Sequence, residues 1–459
     1  MKLKNSIIIA ALLPALLGLG SCGLYNKYQT PDSTPLLAEY KEARAAEIDS
    51  SAYGNLLWED VFTDPMLVDL INQALANNTS MRNALANVEI ANANVQGARL
   101  SYLPSIALTP NGAGASYAGS DISWTYQIPA AASWEVDLFG KILNSKRSAE
   151  AQRELSIHQA QAARSQLIAA VANTYYGIAA LRSQLNLYHE TAQLWKESVG
   201  VMENMKEAGR TTEAAVVQSR ANYYNILGGI TDLEVSLEKL NNTMSLLLNV
   251  MPQDWPISAD AVLALPVKLG QGVPMSVLAC RPDVRMAEQR LAVAFYATNS
   301  ARAAFYPGLT LSVNGGYTNL LGGFIKNPGD WFYQLAGSLT APIFARGQNI
   351  ARLKGAKLQQ EQALNNFEYT LLSAAGEVLN GLTIYAKADE KAGLIDQQVA
   401  NLEKSVEYTN DLLVYANGTY LEVLTAQQSL LSAQMARINN QLARTQAIIN
   451  LYQSMGGGR

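Results

Sequence analysis

The residue types whose spacing indicates a defined reaction, cleavage of a signal peptide and lipidation of a cysteine, lie at the amino terminus of this chain. A positively charged start precedes a short apolar run, which ends in Leu19-Gly20-Ser21-Cys22. The run is too short and wrongly flanked for a membrane span, but this order of charge, apolar core and small residues is typical of a secretory signal. A cysteine directly after such a cleavage site can accept lipid on its thiol. We therefore predict a lipoprotein signal peptide at residues 1–21 and lipidation at Cys22; the alternative is an ordinary signal peptide with an incidental cysteine.

Residues for other chemistry are scarce. The chain has two cysteines and two histidines. If Cys22 carries lipid, Cys280 has no disulfide partner in its own chain, and we expect a packed, inert thiol. His158 and His189 lie on predicted helices without a second ligand nearby. No phosphate-binding loop, GxSxG or HExxH motif occurs. The sequence therefore predicts a protein that is not an enzyme, with no cofactor and no metal site.

The charge and the residue after the lipidated cysteine indicate where the protein works. The formal net charge is −4 and becomes more negative once the signal lysines are removed. This charge disfavours nucleic-acid binding. Gly23, rather than aspartate, follows Cys22, and the likeness to bacterial lipoproteins then implies sorting to the outer membrane. We expect a lipid-anchored outer-membrane protein that extends into the periplasm.

The chain repeats one plan twice. Residues of about 60–250 and 280–455 each contain a helix ending near a Tyr–Pro pair, two alternating strands and a very long helix. The period is too long for a solenoid and indicates a duplicated half-barrel unit. We assign residues 58–250 and 281–455 to the two repeats, 22–57 to a lipidated N-terminal extension, and 251–280 to the linker between the repeats.

The helices have the strongest periodicity. From Leu364 to Ala416, apolar residues recur at alternating steps of three and four, which is a sustained heptad seam. The seam resumes after Asn417-Gly418-Thr419, so residues 346–454 are predicted to form a long antiparallel hairpin. At ~1.5 Å per residue, a single helix over 346–416 would run roughly 105 Å. Residues 141–208 predict a similar helix, and shorter ones are expected at about 63–99, 212–249, 282–303 and 419–454.

Four strands are predicted, at about 102–117, 121–136, 306–320 and 331–344. Apolar and polar residues alternate in them, and aromatic residues cluster near their ends. This is the pattern of an outer-membrane barrel wall, although alternation alone also fits a soluble sheet with one wet face. Four strands cannot close a barrel in lipid, because unpaired edges there are costly. Two chains would give eight strands and a filled lumen, whereas three give twelve and begin to leave a pore. A transport role favours three.

The sequence resembles the TolC/OprM-type outer-membrane efflux family, in its lipoprotein (NodT-like) branch, over essentially the whole mature chain. The residues that carry the resemblance are Trp58, Phe62-Thr63-Asp64-Pro65, Leu70-Ile71, Trp134 to Lys141, Arg281-Pro282-Asp283-Val284-Arg285, Ala287-Glu288, Arg290-Leu291, Pro342-Ile343-Phe344 and Tyr415 to Gln427. The Arg281 run is the most specific of these, although its residue types alone indicate only a helix start or a salt-bridged face.

The resemblance implies a mainly helical fold with a small β part. Long antiparallel hairpins would form a trimeric α-helical barrel that continues into a shared twelve-stranded β-barrel, with four strands from each chain. It also implies a periplasmic adaptor protein and an inner-membrane pump as partners. The adaptor would contact the hairpin tips at Gly209, Arg210, Asn417, Gly418 and Thr419.

The periplasmic gate is expected beside the last hairpin turn. Where family members commonly have an aspartate and an arginine, this chain has Thr425 and Gln428, and the arginine usual before the tyrosine of the turn is Val414. The nearest carboxylates are Glu422 and Asp411. We predict a gate at Glu422, Thr425, Gln428 and Asp411. The missing charges favour closure by helix packing and hydrogen bonds, and a gate locked by charges is the alternative. For Glu422, an exposed residue flanking the hairpin is an equal alternative.

These observations predict a passive exit duct of a tripartite efflux system that exports small molecules as a homotrimer. Two alternatives are a component for protein or peptide secretion and a periplasm-spanning lipoprotein brace without a pore. The amphipathic strands disfavour the brace. A wide polar tunnel does not recognise its cargo, so the exported substrate is not encoded in these motifs.

Overall fold

The computed structural model describes residues 25–45, 56–116, 118–261, 274–321, 324–415 and 419–458. The predicted signal peptide, Cys22, Asn417 and Gly418 lie outside the described residues. The chain forms two compact units. Unit 1 comprises Met1–Pro31, Asn87–Ile157 and Met286–Tyr369; unit 2 comprises Asp32–Ala86, His158–Arg285 and Thr370–Arg459. Each unit therefore draws residues from both sequence repeats.

Ten helices and five strands occur in the described part of the chain. In chain order they are α1 Pro35–Ala45, α2 Trp58–Val61, α3 Pro65–Asn77, α4 Thr79–Leu100, β1 Ser105–Leu108, β2 Asn111–Ala115, β3 Ser123–Val136, α5 Lys141–Glu207, α6 Glu213–Leu248, α7 Met275–Leu278, α8 Pro282–Ala303, β4 Gly308–Leu321, β5 Phe324–Thr340, α9 Gln348–Tyr415 and α10 Tyr420–Ser454. The two long helices have 67 and 68 residues and no interruption.

One predicted helix is divided in the structure. The helix expected at about 63–99 is two helices, α3 and α4, which meet at Asn78. The Asn78 side-chain oxygen accepts hydrogen bonds from the N–H groups of Ser80 and Met81 at 2.9 and 3.2 Å. An asparagine that satisfies these N–H groups starts a new helix instead of continuing the old one. Its amide nitrogen also donates to the Leu247 carbonyl, which fixes the junction against α6.

The strands of unit 1 form one antiparallel sheet in the order β1–β3–β4–β5, with β2 also paired to β3. The strand expected at about 102–117 is therefore two short strands on the same neighbour. They are separated at Thr109 and Pro110, and proline has no N–H to donate to a sheet ladder. In the register, Val136 lies opposite Leu309, and Leu309 lies opposite Leu339.

One face of this sheet is apolar from strand to strand. Trp134 pairs with Leu311, and Tyr317 pairs with both Ile128 and Trp331. The members on β5 are largely exposed, with Trp331 at 81% and Leu335 at 71% of full exposure. Trp331 and Leu339 are eight residues apart, about 27 Å along a strand. An exposed apolar band of this height with an aromatic residue, Trp331, at one end is typical of a barrel wall in lipid.

Among the described residues, no helix contains an apolar stretch long enough to cross a membrane.

The core of unit 2 joins two helical hairpins. We call α5 with α6 the first hairpin and α9 with α10 the second hairpin. Trp195, Met202 and Val216 of the first hairpin share a buried cluster with Val423 and Leu424 of the second. Each of these five side chains is almost completely buried. The heptad seams therefore hold the hairpins together because their apolar residues meet in one core.

The Arg281 run has a structural role in unit 2. The Arg281 guanidinium is buried and bonds to the carboxylates of Asp283 and Glu377 at 2.6–3.0 Å and to the Ser454 carbonyl at 2.5 Å. Its burial lowers the pKa, but hydrogen bonds and charge attraction from Asp283 and Glu377 outweigh burial, so the pKa is raised overall. Arg281 thus stays charged and ties the start of α8 to α9 and to the end of α10.

Candidate functional site at the hairpin ends

The first hairpin turns at Gly209. This glycine has a φ of +71°, in the left-handed region. Its N–H donates to the Lys206 carbonyl at 2.9 Å, and the Arg210 N–H donates to the Met205 carbonyl at 2.8 Å. These two bonds satisfy the end of α5, and a residue with a Cβ is strained in that conformation. Thr212 then caps α6 by accepting a bond from the Ala215 N–H.

Two ion pairs connect the helices on either side of this turn. Lys206 pairs with Glu213, and Arg220 bonds to Glu203. The hydrogen bond from Lys206, with its positive charge, lowers the pKa of Glu213; the bond to Glu203, with its negative charge, raises the pKa of Arg220. Both pairs lie within the first hairpin and are solvent-exposed, so they stabilise it only slightly.

The second hairpin resumes at Thr419, which caps α10. The Glu422 carboxylate accepts a hydrogen bond from the Thr419 N–H at 3.1 Å. A carboxylate at this third helical position satisfies an otherwise unpaired N–H and lies at the positive end of the helix dipole. Glu422 thus caps its own helix. Its side chain is exposed, so its charge faces solvent.

The remaining predicted gate residues are also exposed. Thr425 and Gln428 follow Glu422 along α10, and the Thr425 hydroxyl donates to the Leu421 carbonyl at 2.8 Å. Asp411 lies on α9, near its end. Among the ion pairs of the described residues, none includes Asp411 or Glu422. The structure thus places Glu422, Thr425 and Gln428 on successive turns of one helix but joins none of them to Asp411 by a described contact.

Tyr420 is a residue that the sequence prediction missed. Its side chain is 8% exposed, and its hydroxyl lies 2.9 Å from the Ser198 hydroxyl and 2.8 Å from the Ser219 hydroxyl. The three residues belong to α10, α5 and α6, so this hydroxyl cluster connects the second hairpin to both helices of the first. Ser219 has no exposed surface. A polar residue at a seam position of α6, between Val216 and Tyr223, is the local signal that could have indicated it.

A groove of about 490 Å³ lies beside this cluster, at the ends of both hairpins. Its lining combines apolar, hydroxyl and amide groups with one guanidinium. The lining residues are Met205, Arg210, Thr211, Thr212, Ala215, Gln218, Leu413, Thr419, Tyr420, Leu421 and Leu424. Two of the predicted tip residues, Arg210 and Thr419, line this groove, while Gly209 holds the turn beside it.

Comparison with known proteins identifies what this arrangement resembles. A family model described as outer membrane efflux protein matches residues 70–249 and 273–457. The cation efflux system protein CusC of Escherichia coli O6:H1 is 28% identical over 97% of this chain and 98% of its own length. The toluene efflux pump outer membrane protein TtgI of Pseudomonas putida is 29% identical over 97% of both chains.

The structural comparison agrees. A crystal structure of CusC superposes with a TM-score of 0.83 at 25% identity, covering 95% of this chain and all of the other. The predicted fold class, a mainly helical channel chain of long hairpins with a small antiparallel β part, is confirmed by this likeness.

Proposed function

We propose a working arrangement for this chain, which belongs to the outer membrane efflux protein family and is an outer-membrane channel of an efflux system. The observation that carries the arrangement is the combination of two packed hairpins in unit 2 with an exposed apolar sheet face in unit 1. The hairpins supply a duct wall and the sheet supplies a wall in lipid. No step requires catalysis, so the chain is a passive exit duct.

The channel is a homotrimer. The sheet has four strand positions, and its outer edges, β1 with β2 and β5, are unpaired among the described residues. Unpaired backbone groups cannot remain in hydrocarbon, so neighbouring copies must pair these edges. Three copies close twelve strands and leave a pore, whereas two close eight strands around a filled interior.

The hairpin ends bind the partners. We place the periplasmic adaptor at the groove beside Tyr420, with Gly209, Arg210 and Thr419 as contacts. Asn417 and Gly418, outside the described residues, complete the predicted tips. The adaptor links the channel to an inner-membrane pump, which supplies the energy.

The cargo is selected by the pump. Relatives of nearly equal identity to this chain are named for different cargoes, cations for CusC and toluene for TtgI. Identity to these relatives therefore does not separate the two cargo classes, and we assign this chain small molecules in general.

The gate lies at the start of α10 and is closed by packing and hydrogen bonds. The hydroxyl cluster of Tyr420, Ser198 and Ser219 supports this proposal, because it joins the hairpins without charges. Thr425→Arg would bring three like charges into one ring of the trimer and should raise resting conductance. Ser429→Arg, one turn further along α10, is the matched control. Equal conductance of the Thr425 variant and the native channel would place the narrow point elsewhere.

The function is tested with the purified full-length protein in planar lipid bilayers. We expect discrete single-channel currents and, in mild detergent, a mass of three chains. Stable insertion without current would support a structural brace instead, and a stable folded monomer would contradict the shared barrel.

A further inference from the structure

An aromatic pair marks the place where two strands of the sheet meet the helices. The rings of Phe139 and Tyr306 are stacked, with centroids 4.8 Å apart and an interplanar angle of 13°. Phe139 lies three residues after the end of β3, and Tyr306 lies three residues before Leu309 of β4. Val136 and Leu309 are directly paired in the sheet. The stack therefore closes the end of the β3–β4 strand pair.

A second pair of aromatic residues follows and precedes strands in the same way, but the two do not stack on each other within the chain. Phe344 lies four residues after the end of β5, and Tyr102 lies three residues before the start of β1. Gly140 and Gly347, which precede the two long helices, both have positive φ values, +70° and +75°. Phe139 and Phe344 thus lie in corresponding segments between a strand and a long helix, three and four residues after the strand and one and three residues before the glycine. Tyr306 and Tyr102 lie two and three residues before their strands.

Of these second aromatic side chains, Phe344 is the one that is strongly exposed. Phe344 is 85% exposed and its neighbour Ile343 is 98% exposed, whereas Tyr102, at 37%, is exposed to a degree similar to the stacked Tyr306, at 45%. No ring contact between described residues includes Phe344 or Tyr102. A large apolar side chain this exposed beside an unpaired strand edge indicates a contact with another molecule.

The sheet edges identify that molecule. β5 and β1 are at opposite edges of the sheet, and Thr340 and Ser105 are at the same end of their strands as Val136 and Leu309. If β1 of a second copy lies beside β5, Thr340 and Ser105 lie at the same end of the shared sheet as the Val136–Leu309 pair. We propose that Phe344 of one copy stacks on Tyr102 of the next copy and reproduces the Phe139–Tyr306 pair between chains.

The proposal rests on the homotrimer proposed above and specifies its contact. The closed channel would have six aromatic pairs at the base of its strands, three within chains and three between them. Each pair would hold the end of one strand against the beginning of the next. The interchain pairs would then fix which edge of a copy meets which edge of its neighbour.

Chemical crosslinking of full-length protein tests the contact. The variant Phe344→Cys/Tyr102→Cys is treated with a short bismaleimide and run on a denaturing gel. We expect covalent dimers and trimers. Phe139→Cys/Tyr306→Cys is the matched control, which should crosslink within one chain and remain at monomer mass. Phe344→Cys alone controls for random collisions, and the unsubstituted chain controls for the buried Cys280.

The outcomes separate this contact from the trimer itself. A mass of three chains in detergent with only monomers after crosslinking would overturn the aromatic contact and leave the trimer standing. A monomer mass in detergent would overturn the trimer first. In a second test, Phe344→Ala should lower the temperature at which trimers dissociate on a semi-native gel without changing the helical circular dichroism. An unchanged dissociation temperature would contradict a stabilising contact.

Discussion

At the scale of single residues, the hydroxyl of Tyr420 makes two long-range contacts at the hairpin ends. It bonds to serines that are 222 and 201 residues away in the chain. Its surroundings are apolar, including Trp195, Met202 and Leu424. Buried hydroxyl groups that all have hydrogen-bond partners fix one arrangement of the helices. Each buried hydroxyl left without a partner costs free energy of folding.

We therefore expect Tyr420→Phe to destabilise the trimer by about 1 kcal/mol per chain, because the two serine hydroxyls lose a buried partner. Thermal unfolding in detergent, followed by circular dichroism, measures this change. Tyr415→Phe is the matched control, since Tyr415 is 83% exposed at the end of α9. Equal melting temperatures for the Tyr420 variant and native protein would mean that the cluster does not stabilise the hairpin ends.

The Glu422 carboxylate caps α10 and is also predicted to line the gate, and one substitution can separate these two roles. Glu422→Gln removes the charge but keeps an oxygen that can accept from the Thr419 N–H, so the helix cap survives. Three carboxylates around a narrow pore attract cations, and we expect the variant to have a lower cation preference. Reversal potentials in a salt gradient measure it, with Glu234→Gln on α6 as control. Unchanged selectivity would leave Glu422 as a helix cap only.

At the scale of elements, the first hairpin depends on one glycine. Gly209 has a positive φ at the end of α5, and a Cβ there strains the backbone by roughly 1 kcal/mol. The interior glycine Gly228 of α6 is the opposite case, because a Cβ there would meet nothing within 4 Å. Alanine at this position gains helix propensity.

The two substitutions should therefore have opposite signs. We expect Gly209→Ala to lower and Gly228→Ala to raise the midpoint of thermal unfolding by a few degrees each. Differential scanning calorimetry of the trimer measures both. If Gly209→Ala were as stable as the native protein, the left-handed turn would not be required for the hairpin.

At the scale of the whole molecule, the membrane attachment has two sources. The exposed apolar face of the sheet is one, and the proposed lipid on Cys22 is the other. One acyl chain holds a protein only weakly, whereas several chains on one assembly together with embedded strands hold it firmly. Loss of the lipid should therefore weaken delivery or assembly more than the final attachment.

Cys22→Ser tests the lipid directly. We expect cells that express the native protein to incorporate a labelled fatty acid into it, and cells that express the variant to show none. The sheet should still retain any assembled variant in the membrane fraction. Label in the variant would show that another residue is acylated.

Much of the fold is local in origin and was predictable. The heptad seam indicated the carboxyl-terminal end of α9 and both ends of α10 within two residues, because side chains that repeat every 3.5 residues define a helix face without reference to the rest of the chain. The Thr419-x-x-Glu422 spacing of a helix cap is equally local. The exposed cap at Glu422 fits the alternative of a residue flanking the hairpin, and its role in the gate stays a prediction. Two divisions of predicted elements also have local causes. The helix divides at Asn78 because the asparagine caps a new helix, and the strand divides at Pro110 because proline has no N–H to donate.

The sequence by itself determined the helix periods, the alternating strands and the absence of recognisable catalytic motifs, since each depends on residue types at short spacing. Only the tertiary structure decided that Tyr420 meets Ser198 and Ser219, that Arg281 meets Glu377, and that Phe139 stacks on Tyr306 while Phe344 is left exposed. These contacts join residues between 96 and 222 positions apart. No short-range pattern encodes them, because which side chains meet depends on how the helices and strands pack against one another.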